Sequence, residues 1–106
     1  MRTAKVLMKD QLAGILSETD EGYVFKYDKD YLSNGSSTAI SLTMPLTPEP
    51  YESKVMFSFF DGLIPEGWLL QVAQNNWKLN ARDRMGLLMV CCKDCIGAVS
   101  IEGEML

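Results

Sequence analysis

The stretch that divides the chain reads Phe57-Ser58-Phe59-Phe60-Asp61-Gly62-Leu63-Ile64-Pro65-Glu66-Gly67-Trp68-Leu69-Leu70. It is the most apolar run of the sequence; strand-like patterns precede it and a helical pattern follows it. A residue before proline avoids helical geometry, whereas proline itself suits the first turn of a helix. Pro65 therefore predicts a helix start, with Glu66 at the positive end of the helix dipole. The preceding residues, 57–63, predict a short buried helix or turn that ends near Gly62.

The helix predicted from Pro65 has two different faces. At about 100° per residue, one stripe holds the mostly apolar positions Pro65, Leu69, Leu70, Val72, Ala73, Asn76 and Trp77. Trp68 lies roughly 120° from the centre of this stripe, on the side of Gln71 and Asn75. An exposed tryptophan is typical of an interface, because tryptophan is enriched among residues that dominate binding energy. The alternative is a core role, in which a neighbouring loop such as 45–50 covers the ring.

The first half of the chain reads as short strand-like runs separated by polar turns, and the clearest run, 23–27, alternates with the period of two of a half-buried strand. This pattern predicts strands at 3–9, 12–18 and 23–27, with turns at 10–11 and 19–22. Gly14 is predicted to mark a bulge in the second strand. The serine, asparagine and glycine content of 32–37 predicts a loop.

The alternation returns at 39–44, which predicts a strand with Ile40, Leu42 and Met44 on one face. Three prolines within 45–50 then predict an extended connector, since proline cannot continue a helix. Asn80 followed by Asp83 predicts the capped start of a further helix. The buried side of that helix would hold Met85, Leu88, Met89 and Cys92.

A closing strand is predicted at 96–101, so strands are followed by helices and then by one more strand. This order predicts the α+β class, with a small, partly barrel-like antiparallel sheet and two to three helices in the C-terminal half. Residues 1–106 are short enough to form a single domain.

Composition and charge exclude several classes of function. The chain carries 10 basic and 14 acidic side chains, a net charge of −4, and no basic cluster for contact with nucleic-acid phosphates. No run is long and apolar enough to span a bilayer, and no signal segment is recognisable at the start. Three cysteines, an odd number, fit a reducing compartment. We therefore expect a cytoplasmic protein that contacts neither nucleic acid nor membrane directly.

The residues that most active sites need are scarce in this chain. Histidine is absent, so the commonest general base and metal ligand is missing, and no glycine-rich phosphate-binding motif occurs. Cys91, Cys92 and Cys95 lack the distant second pair of a zinc site, so small structural thiols are expected. Asp61 and Glu66 are close enough in sequence to suggest an acid pair, but no third group accompanies them. No catalytic residue, cofactor or metal is predicted.

Two segments of the chain carry a recognisable family pattern: residues 59–67, and residues 82–88 followed by 95–99. The first, Phe-Phe-Asp-Gly-Leu-Ile-Pro-Glu-Gly, resembles the F-F-x-N/G-L-L-P-E/D-G segment of the N-terminal subdomain of HipA-type toxin kinases. Residues 82–88 and 95–99 together resemble the D-x-F-x-L-L…D-x-x-G-A-V pattern at the end of the same subdomain. Residues 13–16 and 40–46 also fit, so the resemblance covers nearly the whole chain.

The resemblance implies a non-catalytic binding protein. HipA-type kinases continue well beyond this subdomain, whereas the sequence ends at Leu106, so the ATP-binding and catalytic parts are expected to be missing. Small proteins of this kind resemble the HipS-like components of HipBST toxin–antitoxin modules, which bind and restrain a HipT-like serine/threonine kinase. Under this resemblance, the residues expected to contact the kinase are Ile64, Pro65, Glu66, Gly67, Trp68, Gln71 and Asn75.

Two alternatives remain open. The chain also resembles the N-terminal scaffold domain of a HipA-like kinase, and this second interpretation implies a contribution to contact with a HipB-like DNA-binding antitoxin. An unrelated small-molecule binding module would instead be stabilised by a metabolite and would have no protein partner.

Overall fold

The computed structural model of the protein describes residues 2–35, 37–64, 83–91 and 99–104. Within these ranges the strands are β1 (Thr3–Met8), β2 (Gln11–Thr19), β3 (Gly22–Tyr27), β4 (Tyr51–Ser53) and β5 (Val99–Glu104). The helices are α1 (Lys29–Ser33), α2 (Ser58–Asp61) and α3 (Arg84–Cys91). The strands form one antiparallel sheet in the order β4-β3-β2-β1-β5. The predicted α+β class is confirmed. Among the described residues the sheet is open, with β4 and β5 at its edges, and does not close into a barrel.

Strands β1 and β2 form the predicted hairpin. Its turn is made by Lys9 and Asp10, whose φ angles of 51° and 67° are those of a two-residue hairpin loop. The turn therefore begins one residue earlier than predicted. The register of the two strands shifts between Val6 and Leu7, opposite Gly14, so the predicted bulge is confirmed.

One face of the sheet builds the core, as expected for an antiparallel sheet whose other face meets solvent. Its buried side chains are Ala4, Val6, Leu16, Phe25, Tyr27, Val99 and Ile101. Helix α3 adds Met85, Leu87 and Leu88 to this core, and α2 adds Phe60. The prediction that Met85 and Leu88 are buried is confirmed, and Met89 packs partly buried against the same cluster. Cys92 lies outside the described residues.

Helix α1 includes the first two residues of the predicted loop at 32–37. The carboxylate of Asp28 caps the helix by accepting from the backbone N–H groups of Asp30 and Tyr31 at 3.1 and 3.2 Å. Tyr31 is buried in the core. The loop prediction was therefore wrong at residues 32 and 33, because a cap and a buried aromatic ring outweigh the polar composition.

The predicted strand with Ile40, Leu42 and Met44 on one face is a tight turn instead. Ile40 and Met44 are buried, whereas Leu42 points fully into solvent. The Ser41 hydroxyl lies 2.9 Å from the Thr43 hydroxyl and accepts from the backbone N–H of Thr43 at 3.2 Å. The strand prediction was wrong because such local hydroxyl bonds compete with strand pairing.

The remaining elements follow this turn. Residues 45–50 are neither helix nor strand, as the predicted connector requires. Strand β4, which was not predicted, places Tyr51 opposite Phe25. Helix α2 confirms the short helix that ends at Gly62, whose N–H donates to the Ser58 carbonyl at 3.0 Å. The closing strand is confirmed from Val99 onward, and 96–98 lie outside the described residues.

Candidate functional site

The residues predicted to bind a partner belong to one segment of the chain, and the structure describes the residues on either side of it. Ile64 is the last described residue before this segment, and Asp83 is the first one after it. The other predicted contacts lie outside the described residues, and they are Pro65, Glu66, Gly67, Trp68, Gln71 and Asn75. What can be described of this site is therefore the set of contacts that hold the two ends of the segment.

Helix α2 and Ile64 fix the first end in the core. The ring centroid of Phe60 lies 5.4 Å from that of Phe25 in β3 and 5.3 Å from that of Phe59. The Ile64 N–H donates to the Asp61 carbonyl at 3.2 Å, and its side chain is only 3% exposed. Ile64 thus anchors the start of the segment, and a direct contact with a partner would require it to leave the core.

An ion pair joins the two sides of the segment. The Arg84 Nε donates to Asp61 Oδ1 at 2.6 Å, which links α2 to α3. The two side chains are 30% and 44% exposed, and pairs this exposed contribute only about 0.2–1 kcal/mol. The contact therefore fixes geometry more than it adds stability. The Asp61 carboxylate in this ion pair is one member of the acid pair that the sequence suggested. The other member, Glu66, lies outside the described residues.

Arg2 holds the second end of the segment. Its Nη1 and Nη2 donate to Asp83 Oδ2 and Oδ1 at 3.0 and 2.6 Å. Its Nε and Nη2 donate to Glu18 Oε1 and Oε2 at 2.7 and 2.9 Å. One planar guanidinium thus makes paired hydrogen bonds with two carboxylates, for which the geometry of arginine is well suited. Because Glu18 belongs to β2 and Asp83 precedes α3, Arg2 joins the sheet to the helix start.

Asp83 also caps α3. Its Oδ1 accepts from the Gly86 N–H at 3.1 Å, and its carbonyl accepts from the Leu87 N–H at 3.0 Å. The predicted capping role of Asp83 is thus confirmed, whereas Asn80 lies outside the described residues. Hydrogen bonds from Arg2 hold the pKa of Asp83 below its usual value; partial burial opposes this, and the Gly86 N–H adds to it. A Cβ at position 86 would lie 2.4 Å from Asp83 Oδ2, so a larger residue there would have to displace the carboxylate that caps the helix and binds Arg2.

We call the five side chains Arg2, Glu18, Asp61, Asp83 and Arg84 the charged anchor. Hydrogen bonds to Asp83 and Glu18 raise the pKa of Arg2 above its usual value, so the guanidinium stays charged. Sequence reasoning missed most of this cluster, because partners 16 and 81 positions apart leave no local pattern. Only Asp83 carried a signal, since an acidic residue directly before an apolar helical run is typical of an N-cap.

The described part of the chain shows neither a cluster of metal-binding side chains nor a membrane-spanning helix. The described residues bring together no group of three or more His, Cys, Asp or Glu side chains that could hold a metal ion. The cysteine side chains lie outside the described part, so their structural role stays a prediction. None of the described helices has the length and apolar character needed to cross a membrane.

An open cleft of about 820 Å³ lies between the β2–β3 turn and β4. Asp20, Glu21 and Glu52 line it together with one cation, Lys54. Three carboxylates and one ammonium group leave the cleft with a negative charge, so it disfavours phosphate-bearing ligands such as nucleotides.

Comparison with known proteins places the chain in a family. The family model described as the HipA N-terminal domain matches residues 4–102. An uncharacterized protein of Haemophilus influenzae is 30% identical over 104 residues, which cover 98% of this chain and 94% of that protein. A solved structure of the N-terminal domain of HipA toxin matches with a TM-score of 0.72 and 25% identity, covering 99% of this chain and 94% of that one. The resemblance seen in the two motifs is confirmed, and the chain belongs to the HipA N-terminal domain family.

Proposed function

We propose that the protein is a non-catalytic, antitoxin-like component that binds and inhibits a HipT-like serine/threonine kinase toxin. Family membership carries this proposal, because the matched residues 4–102 tie the chain to a domain of a toxin. The Haemophilus influenzae relative supports the part of the proposal in which this domain acts as a separate small protein. Since the match covers 94% of that relative, the relative itself is a protein of about this size.

In this proposal the kinase is bound by the segment that follows Ile64. Trp68, together with Gln71 and Asn75, contacts the kinase on its active-site side and obstructs its closure. The charged anchor supports such a role, because Asp61–Arg84 and Arg2–Asp83 restrain both ends of the segment. A restrained segment loses less conformational entropy when it binds than a free one does.

Co-expression with the product of the neighbouring gene tests the proposal. A tag on this protein should retrieve a kinase in a stable complex, and the kinase should transfer less phosphate from ATP when bound than when alone. The protein by itself should transfer none. Failure to retrieve a kinase, or full kinase activity in the complex, would show that the proposal is wrong.

A scaffold role in a longer HipA-like kinase, in contact with a HipB-like DNA-binding antitoxin, is the second candidate. The match to the N-terminal domain of HipA toxin favours it, because that solved chain is a domain of a toxin. The coding sequence separates the two candidates. A neighbouring gene for a kinase without this domain supports the first, and a kinase domain in the same reading frame supports the second. Both are cytoplasmic roles without direct contact to nucleic acid or membrane.

A further inference from the structure

A long loop connects α1 to β4, and its described residues form neither helix nor strand between residues 34 and 50. Loops longer than about 12–15 residues without such elements are usually binding loops, lids or disordered linkers. In this loop, hydrogen bonds from tyrosine side chains hold the backbone in place. We call residues 37–48 the tyrosine-anchored loop.

Tyr27 holds the centre of the loop from two sides. Its buried hydroxyl accepts a hydrogen bond from the Ile40 N–H at 3.1 Å and donates one to the Met44 carbonyl. Ile40 and Met44 are themselves buried in the core. The turn between them is therefore fixed at both ends, with Leu42 at its tip.

Two further tyrosines hold the flanks of the loop. The Tyr31 hydroxyl donates to the Thr38 carbonyl at 2.6 Å, and the Tyr51 hydroxyl donates to the Pro45 carbonyl at 2.6 Å. The rings of Tyr31 and Tyr27 are nearly parallel, with centroids 6.2 Å apart. Three tyrosines from β3, α1 and β4 thus support one loop.

The surface that this loop presents is uncharged and exposes two large apolar side chains. Leu42 is fully exposed, at 101% relative accessibility, and Leu46 is 38% exposed. Residues 31–48 contain no charged side chain, although the whole chain has a net charge of −4. A fixed, uncharged surface with a protruding apolar side chain resembles the centre of a protein interface, where charged residues are depleted.

We infer that the tyrosine-anchored loop is a second contact surface for the kinase partner, with Leu42 inserted into an apolar, uncharged pocket of that partner. This inference rests on the proposed function. The chemistry of the pocket follows from the loop, because a charged group buried against it would lose its hydration without gaining a counter-charge. Because the tyrosines fix the turn before binding, little conformational entropy remains to be lost at Leu42.

Binding of the co-expressed kinase to Leu42→Ser, measured by calorimetry on the full-length protein, tests the inference. We expect Kd to rise about tenfold or more, with an unchanged melting temperature, because the removed side chain makes no core contact. Leu42→Met keeps an apolar side chain and should stay within about threefold of the wild type. Val55→Ser is the matched control, because Val55 is 71% exposed and lies outside the loop.

The outcomes separate this inference from the proposed function. If the wild-type protein binds no kinase, the proposed function fails, and the inference fails with it. If the wild type binds and Leu42→Ser binds as tightly as Val55→Ser, only the inference fails. If Leu42→Ser instead breaks up an oligomer of this chain and leaves kinase binding intact, the loop is a self-association surface and the inference is wrong.

Discussion

Arg2 and Asp83 are 81 positions apart in sequence, yet they form two charged hydrogen bonds, with Nη2–Oδ1 at 2.6 Å and Nη1–Oδ2 at 3.0 Å. The contact ties the start of the chain to the first described residue after the predicted partner-binding segment. The same guanidinium also binds Glu18, so it separates two carboxylates that would otherwise repel each other. Arg2 therefore restrains one end of the segment that we propose to bind the kinase, although it is distant from that segment in sequence.

Removing Arg2 should destabilise the fold modestly. All three side chains are about one-third exposed, so we expect Arg2→Ala to lower the free energy of unfolding by about 1–2 kcal/mol. Urea unfolding of the wild type, Arg2→Ala, Asp83→Asn and the double variant forms a double-mutant cycle. The coupling free energy between the two residues should be about 1 kcal/mol. Lys54→Ala, at an exposed lysine, serves as the control and should change little. A coupling near zero would mean that the contact adds no stability.

Acid should weaken the fold through Asp83. Because its pKa is lower in the folded protein than in the unfolded chain, the unfolded chain takes up the proton first as pH falls. The stability that Asp83 contributes is therefore complete above the unfolded pKa of about 3.9. It is lost as pH falls through the lower folded value.

The variant Asp83→Asn isolates this effect, since asparagine caps a helix about as well as aspartate but cannot titrate. Urea unfolding at pH 7 and pH 3 should show a smaller loss of stability on acidification for the variant than for the wild type. Parallel losses in the two proteins would exclude Asp83 as a source of the acid sensitivity.

The hydroxyl of Tyr27 should matter more than that of Tyr51. Tyr27→Phe leaves the buried Ile40 N–H and Met44 carbonyl without their partner, which costs about 1–3 kcal/mol. Tyr51→Phe frees only the exposed carbonyl of Pro45, which water can satisfy, so the cost should stay below about 1 kcal/mol. Thermal and urea unfolding compare the two variants. Equal losses would indicate that Tyr27 does not hold the turn.

The bulge in β2 should not tolerate a larger residue. A Cβ at Gly14 would lie 2.5 Å from the Lys26 carbonyl oxygen and 2.8 Å from the ring of Phe25. Gly14→Ala should therefore lower stability by about 1–3 kcal/mol, the usual range for overpacking. Gly35→Ala is the matched control, since nothing lies within 4 Å of a Cβ there. If both variants unfold at the same urea concentration, the close packing at the bulge has no energetic consequence.

Sequence patterns predicted the parts of the fold whose signals are local. Residues 23–27 of β3 alternate with period two, Gly14 marks the bulge, and Asp83 precedes a helical apolar run. Each of these signals depends on residues within one element. The predicted α2 likewise ended at Gly62, where the glycine stood beside an apolar run.

Some of the errors arose where distant residues also decide the structure. Ile40, Leu42 and Met44 alternate as a strand does, but the hydroxyl of Tyr27 fastens the first and last of them into a turn. Strand β4 has only three residues and depends on pairing with β3. The charged anchor shows the same limit, because nothing near Arg2 in sequence indicates that its partner is Asp83.

The exposed position predicted for Trp68 remains to be tested, since both tryptophans lie outside the described residues. If Trp68 contacts the kinase, Trp68→Ala should leave the fold nearly intact and weaken binding by about 2 kcal/mol or more. If a loop covers the ring, the same change should instead lower the stability of the protein by about 3–5 kcal/mol. Trp77→Ala, on the predicted apolar stripe, is the control for this second outcome. Urea unfolding and calorimetric binding to the co-expressed kinase therefore measure both quantities for both variants. A Trp68→Ala protein that is destabilised like Trp77→Ala, but binds and inhibits the kinase normally once folded, would assign Trp68 to the core.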